Sequence, residues 1–143
     1  MEISQALKNA RLTGARDFMD TGSNPAQIDI YGGTPPTGGA APSGSTPLLA
    51  TMVLQKPCGA VTAGVLTLSA ADPLGPLVSA SGEARWARCL SGNGAWAFDC
   101  RVWSGESGQT SGMVIGGTAS GPDQGAQIYL GGRLPPVQLR IEE

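Results

Sequence analysis

The chain has 143 residues, the length of a single domain, and only 14% of them are charged, where about 25% is usual. It contains 22 glycines, 11 prolines and no histidine, which excludes catalytic triads and metal sites built on histidine. The net charge of −2 gives no basic excess for nucleic acid, and no apolar run is long enough to span a membrane. From these two features we expect a partner that is neither nucleic acid nor membrane. The first residues lack the layout of a signal peptide, so we expect synthesis in a cytoplasm.

The three cysteines, Cys58, Cys89 and Cys100, follow a spacing that matches no zinc motif. An odd number of cysteines in a chain without a signal peptide does not indicate a disulfide framework. We expect buried thiols that pack as small apolar side chains. A cross-strand disulfide between Cys89 and Cys100 is the alternative, which a reducing cytoplasm disfavours.

An amphipathic helix is predicted within residues 1–22, and the pair Asn24-Pro25 follows as its stop signal. Spacings of three and four place apolar residues on one stripe, which Leu12 and Met19 widen. The stripe consists of Ile3, Leu7, Ala10, Gly14 and Phe18. Two interpretations remain open: the helix covers one end of a β core, or it docks on a partner.

Residues 26–31 alternate between apolar and polar side chains, with Ala26, Ile28 and Ile30 on one side, which predicts a half-buried first strand. Residues 32–47 contain only Gly, Pro, Ser, Thr and Ala, so they offer no large side chain for a packed element. This segment, called the 32–47 loop below, is predicted to be an extended and exposed arm.

The main β region, residues 48–143, shows short apolar runs separated by turn signals. Strands are predicted over 48–54, 61–68, 77–81, 83–90, 95–103, 113–115, 126–130 and 136–141. Turns are predicted at 56–59 and 72–76, and glycine-rich loops at 104–112 and 116–125. The chain is therefore predicted to be one all-β domain: a jelly-roll-like β-sandwich of about eight strands, with an N-terminal amphipathic helix and long Gly/Pro-rich loops.

The clearest hairpin spans residues 83–103 and carries all three tryptophans. Alternation predicts a core side made of Ala87, Cys89, Trp96, Phe98, Cys100 and Val102. It predicts an opposite side made of Trp86, Arg88, Leu90, Ala97, Asp99 and Trp103. Arg88 is placed to pair with Asp99 across the strands. This opposite side is covered by the helix or a long loop, forms a protein contact, or stacks on sugar rings; the sequence leaves the three open.

Residues able to carry catalysis are scarce. The many serines have no histidine to activate them, and Glu83 and Asp99 are a carboxylate pair of a kind found in any β protein. No glycine pair stands between a strand and a helix as a phosphate loop requires, and no calcium loop is present. We expect a protein that is not an enzyme and that holds no cofactor and no metal.

The order of these features resembles a family of small virion proteins of tailed bacteriophages. Members show a short amphipathic helix, a strand of the form "I.IY.G..P", a strand "G.A.WAR", a small turn and a strand "A.FD..V". The matching residues of the first strand are Ile28, Ile30, Tyr31, Gly33 and Pro36. Those of the hairpin are Gly82, Ala84, Trp86, Ala87, Arg88, Ala97, Phe98, Asp99 and Val102.

The resemblance implies a decoration, or cement, protein on the outer surface of a phage capsid. Its expected partners are the major capsid protein and further copies of itself, as a dimer or trimer on capsid symmetry axes. The expected contact residues are Leu7, Phe18, Tyr31, Trp86, Arg88 and Trp103. The alternatives are a low-copy tail, neck or head-fibre component, and a carbohydrate-binding module that uses Trp86 and Trp103 as its platform.

Overall fold

The structure is a computed structural model that describes residues 1–106, 112–116, 118–120, 125–134 and 138–140. Parts of the predicted 104–112 and 116–125 loops and of the final predicted strand lie outside these ranges. The described ranges contain one helix, α1 (Gln5–Met19), and ten strands: β1 (Gln27–Tyr31), β2 (Leu48–Thr62), β3 (Val65–Ala70), β4 (Gly82–Ala84), β5 (Trp86–Leu90), β6 (Trp96–Ser104), β7 (Gly112–Ile115), β8 (Thr118–Ser120), β9 (Gly125–Ile128) and β10 (Gln138–Arg140). The predicted all-β class with an N-terminal helix is confirmed.

Seven strands close into a barrel in the order β1-β2-β3-β10-β7-β6-β5. Strand β1 closes it, because it pairs antiparallel with β2 on one side and with β5 on the other. The remaining strands form a small sheet in the order β4-β9-β8. Strands β6 and β7 run parallel, whereas a jelly roll is antiparallel, so the jelly-roll detail of the prediction is not confirmed.

The alternation predicted for β1 is confirmed on its inner side, where Ile28 and Ile30 are fully buried. The side chain of Asp29 on the outer side is also buried, and it accepts hydrogen bonds from Gln27 (2.8 Å) and Thr51 (3.0 Å). Strand β1 is thus covered on both sides, because hydrogen bonds satisfy the buried carboxylate on its outer side. The sequence pattern alone does not show these contacts.

Two boundaries in the next hairpin were predicted wrongly. The predicted turn at 56–59 belongs to β2, which continues through it with a register shift between Leu54 and Gly59. The single strand predicted over 61–68 is interrupted at Ala63 and Gly64. These two residues form a two-residue turn with positive φ angles of 51° and 78°. Such turns usually carry Asn or Asp before the glycine, and alanine at the first position hides the signal.

The loop predicted at 116–125 was also partly wrong, because β8 (Thr118–Ser120) lies within it and pairs with β9. A strand of three residues is too short to show an alternation in the sequence. Its pairing with the neighbouring strand, and not its own sequence pattern, makes this segment a strand.

The buried side of α1 differs from the predicted stripe. Leu12 and Met19 are the helix residues in the core, whereas Leu7 and Phe18 are each 46% exposed. The helix therefore does cover the β core, as the first of the two interpretations has it, but it does so through Leu12 and Met19 and not through Leu7 and Phe18. Both sides of the helix carry apolar residues, so the sequence alone does not show which side is buried. Packing against the barrel determines it.

Candidate contact surfaces

The outer side of α1 exposes several apolar residues, with the charged Arg11 between Leu7 and Phe18 on the same side of the helix. These apolar residues are Leu7, Ala10, Gly14 and Phe18, which recur at helical spacing and are all exposed. We call these four residues the outer stripe. A side chain added at Gly14 would meet nothing within 4 Å, so the middle of the stripe is open. An exposed apolar stripe on a helix is typical of a protein contact.

Polar contacts along its length fix α1 against the barrel. The side chain of Asn9 accepts a hydrogen bond from the Gly64 amide (2.8 Å), and the carboxylate of Asp20 accepts one from the Cys58 amide (2.9 Å). The carbonyl of Met19 accepts a hydrogen bond from Gly92 (3.0 Å) in the β5–β6 turn. The outer stripe is therefore held in one orientation before any partner arrives, which lowers the entropy cost of binding.

A second cluster lies on the outer side of β1, β5 and β6. The ring of Tyr31 stacks on that of Trp86, with centroids 4.5 Å apart and planes at 16°. The Trp86 side chain is 1% exposed, and its indole N–H donates a hydrogen bond to the Gly32 carbonyl (3.0 Å). Burial raises the pKa of the Tyr31 phenol above its usual value, so this group stays neutral well into the alkaline range.

The predicted pairing of Arg88 with Asp99 is confirmed by the register of β5 and β6. The guanidinium of Arg88 donates to both carboxylate oxygens of Asp99 at 2.8 Å, a bidentate ion pair. A third donor bonds the carbonyl of Ala40 in the 32–47 loop at 2.9 Å. The hydrogen bonds that Arg88 donates to Asp99 raise the pKa of the guanidinium above its usual value.

The 32–47 loop folds back over this cluster and is not the extended arm that was predicted. A hydrogen bond from the Gly32 amide to the Pro47 carbonyl (3.1 Å) closes its base. Gly39 lies directly on the ring of Trp96, so closely that any side chain at this position would overlap the ring. Of the three interpretations of the tryptophan side of the hairpin, the structure therefore bears out coverage by a long loop.

Trp96 was predicted on the core side of the hairpin and this was wrong. A register shift between Cys89 and Leu90 turns Trp96 outwards, where it is 44% exposed and donates a hydrogen bond to Asp99 (3.2 Å). Such a bulge cannot be read from alternation, because it reverses the alternation at one position. Trp103 is half-buried, with the Arg101 guanidinium 4.7 Å from its ring centroid.

The six expected contact residues therefore separate into two groups. Leu7 and Phe18 lie together on the outer stripe. The others do not form an open contact surface: Trp86 and Arg88 are buried, while Tyr31 and Trp103 are half-buried. Because Trp86 presents no free ring face, the structure offers no sugar platform built from Trp86 and Trp103.

One exposed apolar surface was missed by the sequence analysis. Backbone hydrogen bonds join segment 76–78 to segment 131–134, among them Val78 to Gly132 (2.9 Å). Four large apolar side chains on or beside these segments are more than half exposed: Leu74, Leu77, Tyr129 and Leu130. The sequence feature that could have predicted this surface is the presence of large apolar residues in or next to glycine- and proline-rich turns. A regular strand does not bury side chains at such positions.

Within the described ranges, no group of three His, Cys, Asp or Glu side chains is placed to hold a metal ion. No helix in that part of the chain has the length and apolar character needed to cross a membrane. Comparison of the chain with protein-family models, curated proteins and solved structures found no match.

Proposed function

We propose that this protein is a structural protein that decorates a bacteriophage capsid and stabilises it by binding the lattice of the major capsid protein. The observation that carries the proposal is the outer stripe, a row of apolar helix residues that is exposed and firmly oriented. The resemblance at residues 28–36 and 82–102 supplies the class of partner. The chemistry is compatible, since a cement protein works through contacts and not through reactive groups.

A single helix stripe buries little area, so one contact of this kind is weak. A capsid lattice presents the same site many times, and a protein that also contacts its own copies gains from several weak contacts at once. The second apolar surface, formed by Leu74, Leu77, Tyr129 and Leu130, is our candidate for contacts between copies, as a dimer or trimer on the symmetry axes.

The copy number of this chain in purified particles tests the proposal directly. A number comparable with that of the major capsid protein is the expected result. A handful of copies would assign the chain to the tail, neck or head fibre instead. Complete absence would overturn the virion assignment.

Point variants test the outer stripe better than truncation. Deleting residues 1–22 would remove Leu12 and Met19 from the core, so the truncated chain would lose stability as well as any docking surface. The double variant Leu7→Asp/Phe18→Asp changes exposed side chains only, and we expect normal folding with at least about tenfold lower affinity for particles, which corresponds to about 1.4 kcal/mol.

The matched control is Leu48→Asp/Val53→Asp, because these side chains on β2 are exposed to a similar extent, 42% and 44%. The control is expected to decorate particles normally. Equal occupancy for the outer-stripe variant and the wild type would show that the helix is not the docking element.

A further inference from the structure

One asparagine of this chain precedes a glycine in an exposed turn. The chain contains three asparagines, Asn9, Asn24 and Asn93, of which Asn93 alone is followed by glycine. Asn93 and Gly94 lie in the turn between β5 and β6, and both residues are exposed. Asparagine before glycine loses its side-chain amide readily, because glycine has no side chain to hinder the approach of its own backbone nitrogen to the asparagine.

The other two asparagines are much poorer sites for the same reaction. Asn24 precedes Pro25, whose backbone nitrogen has no hydrogen to lose when a ring closes on it. Asn9 lies inside α1, and its side-chain oxygen accepts hydrogen bonds from the Gly64 amide (2.8 Å) and the Gln5 side chain (3.1 Å). Both therefore serve as internal references.

In the folded chain, contacts restrain both reacting groups of the turn. The Gly94 amide donates a hydrogen bond to the Ser91 carbonyl (2.8 Å), which closes the turn. The side-chain amide of Asn93 lies against Gly22, which follows α1, so closely that a side chain added at Gly22 would overlap it. Ring closure requires rotation about the Asn93 side-chain and backbone bonds, and these two contacts oppose that rotation.

The reactivity of Asn93 is therefore tied to the position of α1. When the turn separates from the segment after α1, the Asn93 side chain is released and can turn towards the Gly94 nitrogen. We propose that Asn93 is the deamidation site of this protein, and that contact between Gly22 and the β5–β6 turn sets the rate. This proposal does not depend on the proposed function.

The reaction has two steps and consumes one water molecule. The backbone nitrogen of Gly94 attacks the side-chain carbonyl carbon of Asn93 and loses its hydrogen, which forms a cyclic succinimide and releases the side-chain amide as ammonia. Water then adds to one of the two ring carbonyls and opens the ring. Opening at one C–N bond gives aspartate, and opening at the other gives isoaspartate, in which the backbone runs through the former side chain.

The isoaspartate product changes the anchoring of α1. It lengthens the backbone of the turn by one carbon directly after Gly92, whose amide donates to the Met19 carbonyl (3.0 Å). The aged wild-type chain is therefore expected to unfold at a lower denaturant concentration than the fresh chain, whereas an aged Asn93→Gln variant is not. An unchanged midpoint would show that the modification leaves the docking of α1 intact.

The main experiment incubates the folded full-length chain in mildly alkaline buffer and follows intact mass, peptide maps and isoaspartate content. We expect one side-chain amide to be replaced by a carboxyl group, at Asn93, while Asn9 and Asn24 stay unchanged. The same chain unfolded in guanidinium chloride is expected to react several-fold faster, because the contacts with Ser91 and Gly22 are gone.

A matched pair of variants tests whether the contact at Gly22 sets the rate. Gly22→Ala places a side chain where the Asn93 amide now lies, so this variant is expected to react several-fold faster than the wild type. Gly33→Ala is the control. Its φ of 73° resembles the 93° of Gly22, so both substitutions strain the backbone, but a side chain at Gly33 meets nothing within 4 Å. Circular dichroism establishes that folded variants are compared.

Three kinds of result would overturn the proposal. One is a folded wild-type chain in which Asn93 stays intact, or in which Asn9 or Asn24 reacts first. Another is an equal rate in the folded and the unfolded chain, which holds as a test even where a variant fails to fold. The third is a Gly22→Ala variant that reacts no faster than Gly33→Ala.

Discussion

At the scale of single residues, Arg88 joins three parts of the molecule. Its guanidinium binds Asp99 on the neighbouring strand, the carbonyl of Ala40 in the 32–47 loop, and lies 5.5 Å from the ring centroid of Trp86. The residue is only 6% exposed, so its charge depends on these partners and not on water. Removing the Asp99 carboxylate would leave the buried Arg88 charge without its counter-charge. The resulting loss of folding free energy is larger than the net contribution of the ion pair itself.

We therefore expect Asp99→Asn to lower the free energy of unfolding by about 3 kcal/mol, because the Arg88 charge loses its bidentate partner. Chemical denaturation followed by tryptophan fluorescence measures the change. The matched control is Asp72→Asn, whose partner Arg133 is half-exposed and whose loss is expected to change stability little. Equal effects of the two substitutions would contradict the structural importance of the Arg88 pair.

Buried acids predict a loss of stability in alkaline solution. Burial raises the pKa of Tyr31, and that of Cys58 rises from 9.0 to about 12, so the unfolded chain releases these protons at lower pH than the folded chain does. Both groups contribute stability that is present below their unfolded pKa and is lost as the pH rises through the folded one. The free energy of unfolding should fall above about pH 9, by up to about 1.4 kcal/mol per pH unit, as Cys58 loses its proton in the unfolded chain. Tyr31 adds to this loss above its unfolded pKa of 10.0.

Urea denaturation between about pH 8 and pH 11 measures this slope. The Cys58→Ala variant is expected to show a shallower slope than the wild type, because one of the groups whose pKa is raised in the folded chain is gone. A variant slope as steep as that of the wild type would assign the alkaline loss to other groups.

At the scale of elements, α1 and the β5–β6 turn are held together by close backbone contact. The Cα of Gly92 lies so near the carbonyls of Thr21 and Asn24 that a side chain there would overlap them. The Gly92 amide also donates to the carbonyl of Met19. The orientation of the outer stripe thus depends on a glycine in a distant turn as well as on the helix itself.

Two glycine-to-alanine substitutions separate this contact from helix propensity. Gly92→Ala should destabilise the fold by about 1–3 kcal/mol, because the backbone must move to remove the overlap. Gly14→Ala should stabilise it by about 0.5–1 kcal/mol, because the position is open and alanine is the better helix former. Denaturation midpoints measure both, and a change of the same sign in both variants would contradict this account.

At the scale of the whole molecule, one hydrophobic core receives side chains from all parts of the fold. Leu12 and Met19 enter it from α1, and Ala126 and Ile128 enter it from the three-stranded sheet, while β2 supplies more of the barrel interior than any other strand. No part has a separate cluster among the described residues. The helix, the barrel and the small sheet are therefore expected to unfold together.

This predicts a single cooperative transition in urea. Far-ultraviolet circular dichroism, which reports strands and helix, should coincide with tryptophan fluorescence, which reports the environment around β5 and β6. The sequence-based prediction of one domain over residues 1–143 rests on the same test. Two separated transitions would show that the chain contains independently folding parts.

How far prediction succeeded depended on how local each feature was. The Arg88–Asp99 pair was predicted because both residues lie in one hairpin with a short turn, so alternation and register were sufficient. Trp96, in the same hairpin, was placed wrongly because one bulge reverses its side. The two groups of contact residues were not separable from sequence either, since the 32–47 loop that covers Trp86 has no side chain large enough to signal packing.

Neighbouring residues and their periodicity were enough to predict the all-β class, the presence of α1, the alternation of β1 and the hairpin of β5 and β6. Contacts between distant segments set which side of α1 is buried, that β1 closes a barrel, and that the 32–47 loop lies over the aromatic cluster. A side chain is buried only when a second surface packs on it, so burial depends on two segments at once. The sequence pattern of one segment does not show which distant segment will pack against it.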